Sequence, residues 1–304
     1  MSRTTPQIPP PAAPLALLWP LIPAVALVVW AFFPTFEFMY GKWVSDPQYS
    51  HGFLVPLFSA YVLWRGGLAR LIGGGPWPIV GCTILVAALG LRWLAGGLLF
   101  YQLDALALMM SLIAVTLAVG GVRMLKGAAP ALLFLVFMVP LPYEIEQNVG
   151  APLKLVATTA STYLLQTIGH PAIAEGNVIL IDDVTLGVVD ACSGLKMLMT
   201  FAAFAVGAVI LLDRTRFEKL MILLGIVPIA IVTNVLRITA TGVAYTMTQE
   251  KATLHFLHDL HGWLMMPLGL ALLGLQLWAL GRLVVRPAPV NPLGGFAPFR
   301  PAFA

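Results

Sequence analysis

Apolar runs close to 20 residues long recur from one end of this 304-residue chain to the other. A helix needs about 20 apolar residues to cross a bilayer. Inside lipid every backbone polar group must pair within the protein, so such a chain folds as a bundle of membrane helices, not as a soluble domain. Composition agrees: 60% of the residues are hydrophobic and 10% charged, with a mean hydropathy of +0.92. The formal charge of +4 does not point to nucleic acid, because the basic residues fall in short loops instead of a patch. Cys82 and Cys192 are too far apart in the chain to suggest a disulfide framework. Cys82, inside an apolar run, reads as a small buried residue.

The expected fold is an all-α polytopic membrane protein with about eight transmembrane helices. They fall near 15–33, 52–65, 77–97, 103–121, 130–142, 192–212, 219–240 and 260–282. Residues 1–14 form a proline-rich, disordered N-terminus, 15–285 a single integral-membrane domain, and 286–304 a proline-rich flexible tail. The first apolar run ends in Trp30, Phe32 and Phe33 instead of small residues, so it reads as an uncleaved span. One long loop, Leu141 to Ala191, separates spans five and six. Its first half, Ile145 to Ile168, is expected to be an interfacial helix. Its second half carries two β-rich runs, Val178 to Ile181 and Val184 to Val189, around Asp182-Asp183; these predict a short hairpin.

Basic residues set the orientation. With a cytoplasmic N-terminus, eleven of the seventeen Lys and Arg fall in cytoplasmic loops. These include Arg3, Arg65, Arg123, Lys126, Arg214, Lys219 and Arg282, while Lys42, Lys154 and Lys251 lie opposite and Arg92, Lys196 and Arg237 lie within spans. That asymmetry follows the positive-inside rule and places both termini in the cytoplasm. All five histidines then lie at or beyond the outer surface. Cys192 opens span six on that side, and His258 immediately precedes span eight. Span seven starts inside near Lys219, so Arg237 has risen about 27 Å at 1.5 Å per residue. Three chemically able residues from three spans therefore share one depth.

Each has an ordinary alternative. A lone membrane cysteine often only packs, an arginine near a span end can snorkel, and Asp259 beside His258 can cap a helix. Against these, Cys192 stands at a helix start, where unpaired N–H groups favour a thiolate. Lys196, four residues on, adds positive charge on the same helix face. Asn234 lies one turn before Arg237, which suggests a polar seam facing protein instead of lipid. Thiolate attack on a peptide carbonyl needs these parts: a nucleophile, a proton donor and an oxyanion stabiliser.

Four blocks resemble the exosortase/archaeosortase family of membrane cysteine transpeptidases. They are Ala191-Cys192-Ser193-Gly194-Leu195 after Asp190, Asn234-Val235-Leu236-Arg237-Ile238, His258 four residues before Gly262-Trp263, and Tyr49-Ser50-His51-Gly52 followed by Pro56. The resemblance runs from about Asp46 to Leu280. It implies a catalytic triad of Cys192, Arg237 and His258, supported by Asp190, Ser193, Gly194, Lys196, Asn234 and His51. Lys and Asp stand at 196 and 190 where many similar bacterial members have Arg and Glu. The implied substrates are surface proteins with a C-terminal sorting tail: a short motif such as Pro-Glu-Pro, one transmembrane helix and a basic cluster. The implied chemistry is cleavage through a thioester and transfer to an amine acceptor, at a bacterial inner membrane with the active site facing outward.

Other readings stay open at this level. A membrane cysteine protease that only hydrolyses its substrate shares the first half-reaction. A transporter would place its charges nearer the midplane and show internal repeats. His255 and His261 share a helix spacing with His258, but no acidic or thiol cluster completes a metal site, and neither metal nor cofactor is expected. His51 could line a substrate entrance or hydrogen-bond within the outer loop.

Overall fold

The structure is a computed structural model that describes residues 21–66, 75–181, 184–188, 194–248 and 250–284. Within these, the side chains of Pro47, Gln48, Lys196, Lys251, Ala252, Leu254, His255, His258, Asp259 and His261 are also outside the description.

Helices α1 (Leu21–Ala31) and α2 (Phe33–Ser45) meet at Phe32 with a bend of 68°. Pro34 at the start of α2 supplies no N–H to continue the ladder, which suits a break there. A 3-10 helix (Pro47–Phe53) leads into α3 (Leu54–Gly66), followed by α4 (Pro78–Leu98) and α5 (Tyr101–Phe134). A second 3-10 turn (Leu135–Met138) and the Pro140-Leu141-Pro142 corner precede α6 (Tyr143–Thr167).

Helix α5 is not one rod. At 1.5 Å per residue its 34 residues would run about 51 Å if straight. Yet Thr35 donates to the Asp104 carboxylate near its start, and Trp43 donates to Met138 O just beyond its end at 2.9 Å. Thr35 and Trp43 are only eight residues apart on α2, about 12 Å. The run therefore folds back, and the reversal sits at Gly121, whose φ of 67° and ψ of −168° are not helical. A Cβ there would stand 2.1 Å from Gly75 O. Both the backbone angle and the close approach exclude a side chain.

Beyond α6 the chain forms a three-stranded antiparallel sheet: β1 (Ala172–Glu175), β2 (Val178–Ile181) and β3 (Val184–Gly187). The expected hairpin is therefore a meander. Ala172–Glu175 pairs with β2 across the Gly176-Asn177 turn, where Gly176 has φ 61°; its mixed Ala-Ile-Ala-Glu sequence hid it. One face of the sheet, including Ile179, Ile181 and Leu186, forms a core with Leu165 of α6 and Ile238.

The remaining helices are α7 (Leu195–Leu211), α8 (Arg216–Leu224), α9 (Ile226–Met247) and α10 (Lys251–Leu283). Thr215 and Glu218 form a reciprocal capping box at the start of α8. Buried Glu218 also accepts from Arg214 at 2.9 Å. Helix α9 packs against α6, α7 and α10, so it is the common wall of this half of the molecule.

Among the described residues, four stretches are long and apolar enough to cross a membrane: Pro78–Leu98, Tyr101–Met138, Arg216–Met247 and Gly262–Leu283, with a fifth if the bent α1–α2 pair counts as one span. The expected eight are not reproduced. Spans 103–121 and 130–142 lie on either side of the reversal at Gly121, while α3, with 13 residues, is shorter than a spanning helix and α7, with 17, is at the short limit of about 17. Two helix starts also differ. Helix α7 begins at Leu195, not 192, and α10 begins at Lys251, so residue 259 lies inside a helix and does not cap one. Cys82 is exposed on α4 instead of buried. Residues 15–20 of the first expected span, both termini and Asp182-Asp183 lie outside the described residues.

Candidate active site

Asn234 and Arg237 lie one turn apart on α9, and both are buried, at 1% and 4% exposure. This is the polar seam expected from their spacing: two polar side chains turned into protein. Each rests on a glycine from a different helix. A Cβ added to Gly194 would come 3.3 Å from Asn234 Nδ2, and one added to Gly262 would come 3.3 Å from Arg237 Nη2. Gly194 is the residue that precedes α7, in a left-handed conformation with φ 79°. Gly262 lies within α10, one helical turn after residue 258. Helix α9 thus brings the end of the cysteine block and the helix of the histidine block onto one face.

Why these positions meet follows from side-chain volume. Arginine and asparagine on one face of a helix need either polar space or bare backbone opposite them. Glycine provides the second, letting the neighbouring chain approach to contact distance. The packing role of both glycines shows no signal in composition or periodicity.

The sheet fixes the other side. Val188 N donates to Asn177 O at 2.9 Å, and buried Val188 joins the core that contains Ile238. Residues 189–193 therefore connect two points that both pack toward α9. Asp190, Cys192 and Ser193 fall in that connection and lie outside the described residues. The backbones of residues 255, 258 and 261 run along the continuous helix α10.

The Tyr49-Ser50-His51-Gly52 block does a defined structural job. Buried Tyr49 contacts the Glu146 carboxylate through its hydroxyl, and that hydroxyl accepts from Leu141 N at 3.1 Å. His51 Nε2 donates to Phe137 O at 3.1 Å. A Cβ on Gly52 would stand 2.3 Å from Trp43 Nε1, the atom that donates to Met138 O. All these bonds end on residues 137–146, so the block ties the 3-10 segment to the corner before α6. His51 bonds to the 3-10 turn Leu135–Met138 and not within an outer loop. It is 8% exposed and hydrogen-bonded, and it also lines a groove of about 500 Å³ between α3 and α7, with Phe58, Thr200, Ala203 and Gly207. Trp43 and Glu146, which complete this arrangement, carry no signal in the sequence pattern. Their roles depend on partners about 95 residues away.

Fold and site define a multi-pass helical membrane protein with a buried polar cluster where α7, α9 and α10 converge. A family model described as transmembrane exosortase (Exosortase_EpsH) matches residues 43–275, well over half of the chain. The chain belongs to the transmembrane exosortase family, and with it to sorting-related membrane transpeptidases at family level. No curated protein and no solved structure matches it.

Proposed function

We propose that the protein is an outward-facing cysteine transpeptidase that cleaves the C-terminal sorting tail of membrane-anchored surface proteins. The observation that carries this reading is the double contact of α9: Asn234 against Gly194 and Arg237 against Gly262. Cys192 is two residues from Gly194, so covalent geometry keeps its Cα within about 7.6 Å of Gly194 Cα. Residue 258 precedes Gly262 by one turn, about 6 Å along the helix axis. These short separations support a reading in which a nucleophile, a guanidinium and an imidazole from three chain segments act on one peptide bond.

The roles follow from chemistry. Cys192 Sγ attacks the scissile carbonyl carbon as thiolate, forming a C–S bond and placing negative charge on the carbonyl oxygen. Arg237, always charged and a multi-donor fork, stabilises that oxygen from a buried position, where the interaction is strongest. His258 gives a proton to the leaving nitrogen as the C–N bond breaks, which leaves a thioester. An acceptor amine then attacks the thioester, His258 takes its proton, and the thiolate departs. Lys196 and Asp190 are supporting charges, Ser193 and Gly194 shape the turn, and Asn234 orients it. The excess of basic residues at the other end of the bundle supports cytoplasmic termini and an outward-facing site in the inner membrane.

The test is reconstitution of the full chain in liposomes with a substrate carrying a motif, one transmembrane helix and a basic cluster. The wild type releases the tail, and Cys192→Ala, Arg237→Ala and His258→Ala do not, although all insert. Full activity of Cys192→Ala rejects the assignment. Mass spectrometry of the product separates transfer from hydrolysis: an adduct at the new C-terminus means an amine resolved the thioester, and a free carboxylate means water did.

A further inference from the structure

Arg92 belongs to none of this chemistry. It lies on α4, a stretch apolar enough to span a membrane, 14 residues from the helix start and six from its end. Its guanidinium carbon stands 4.3 Å from the centre of the Phe32 ring. No carboxylate among the described residues pairs with it, and its enclosed Nη1 has no hydrogen-bond partner among them. A cation–π contact offsets only part of the cost of a cation in this setting. An unpaired arginine in a spanning helix calls for an anion.

The surroundings fit one kind of anion. Below Arg92, toward the start of α4, an apolar slot of about 260 Å³ lies between α1, α4 and α5, with Leu27, Phe32, Leu85, Leu89 and Val115 among its walls. The single hydroxyl there, Ser111 Oγ, donates to Ala107 O of its own helix at 2.8 Å and offers the slot nothing polar. Leu85, Leu89 and Arg92 follow one helix face, and Leu85 to Arg92 spans about 10 Å, within a leaflet of about 15 Å. Beyond Arg92 a second hollow of about 730 Å³ opens over Gly96 and Gly97 and shares Leu89 with the slot. A Cβ at either glycine would meet nothing within 4 Å. Trp30 and Trp93, 78% and 80% exposed, flank the two hollows. Exposed tryptophans mark the headgroup level of a bilayer.

We propose that this is a binding site for an anionic glycerophospholipid, its phosphate on the Arg92 guanidinium, its headgroup over Gly96-Gly97 and one acyl chain in the slot. The cation selects the charge, and the slot selects the chain.

The experiment is native mass spectrometry of the full-length chain released from detergent micelles. The micelles are doped with equal amounts of palmitoyl-oleoyl phosphatidylglycerol, the matching phosphatidylcholine, or undecaprenyl phosphate. Wild type is expected to retain phosphatidylglycerol over phosphatidylcholine by about tenfold, because the choline cation offsets the phosphate charge and repels the guanidinium. Arg92→Gln should erase that preference and Arg92→Lys restore part of it. Gly96→Leu adds bulk to the headgroup hollow from a Cβ that meets nothing within 4 Å and replaces a poor helix former, so it should keep or raise thermal stability while losing the lipid. Equal retention of both phospholipids, unchanged retention in Arg92→Gln or Gly96→Leu, or retention of undecaprenyl phosphate alone would each overturn the proposal.

Discussion

The guanidinium of Arg237 rests against the backbone of Gly262: a methyl group built on that glycine would stand 3.3 Å from Nη2. Such a distance is tighter than ordinary van der Waals contact, so any side chain at 262 displaces the arginine by a few tenths of an ångström or more. If Arg237 holds a developing oxyanion, that displacement falls on the transition state. Gly262→Ala is therefore expected to lower the tail-release rate by about tenfold, since small misplacements of a positioning group are costly. Thermal unfolding should change little. A normal rate in Gly262→Ala would show that Arg237 needs no fixed position.

Gly194 carries two constraints at once, a φ of 79° and the approach of Asn234 to 3.3 Å of a built Cβ. Left-handed backbone costs a residue with a Cβ roughly 1–2 kcal/mol. Gly194→Ala should lose about that much stability in a denaturation midpoint. It should also lower processing more than Asn234→Ala does, because it disturbs the backbone two residues after Cys192 as well as the contact.

Gly52 lies under the indole of Trp43, with only 2.3 Å from a built Cβ to Nε1. Gly52→Ala must push the ring away and break its 2.9 Å bond to Met138 O. Overpacking of this kind costs about 1–3 kcal/mol. The measurement is the unfolding temperature of the purified chain, and Trp43→Phe, which deletes the same donor, should reproduce part of the loss.

His51 separates a structural role from a substrate-facing one. Loss of its part-buried bond to Phe137 O in His51→Ala should cost about 1 kcal/mol of stability. His51→Gln keeps a donor of similar reach and should recover much of that stability. If both variants are equally stable and both fail to process the tail, the groove-lining role decides and the anchoring role does not.

Local pattern carried far in this chain. Asn234 and Arg237 were legible as a buried seam because three residues on a helix share a face. The helix expected at 145–168 and the β-rich runs at 178–181 and 184–189 correspond to Tyr143–Thr167, Val178–Ile181 and Val184–Gly187. The reversal at Gly121 falls where one apolar run ends at 121, ahead of Arg123 and Lys126 and the next run from 130. The strand Ala172–Glu175 was hidden by its mixed composition, and the continuation of α10 back to Lys251 by its histidines and aspartate.

The sequence by itself determined the environment and the chemical inventory. Hydropathy decides that the chain belongs in lipid, and the order of Cys192, Arg237 and His258 blocks is written in one dimension. Only the tertiary structure decided which helices touch. That choice rests on side-chain volume at single positions: glycines 194 and 262 let α7 and α10 close onto α9, and glycine 52 lets Trp43 reach residue 138. Contacts between residues far apart in sequence depend on packing across helices, which no periodicity along one helix encodes.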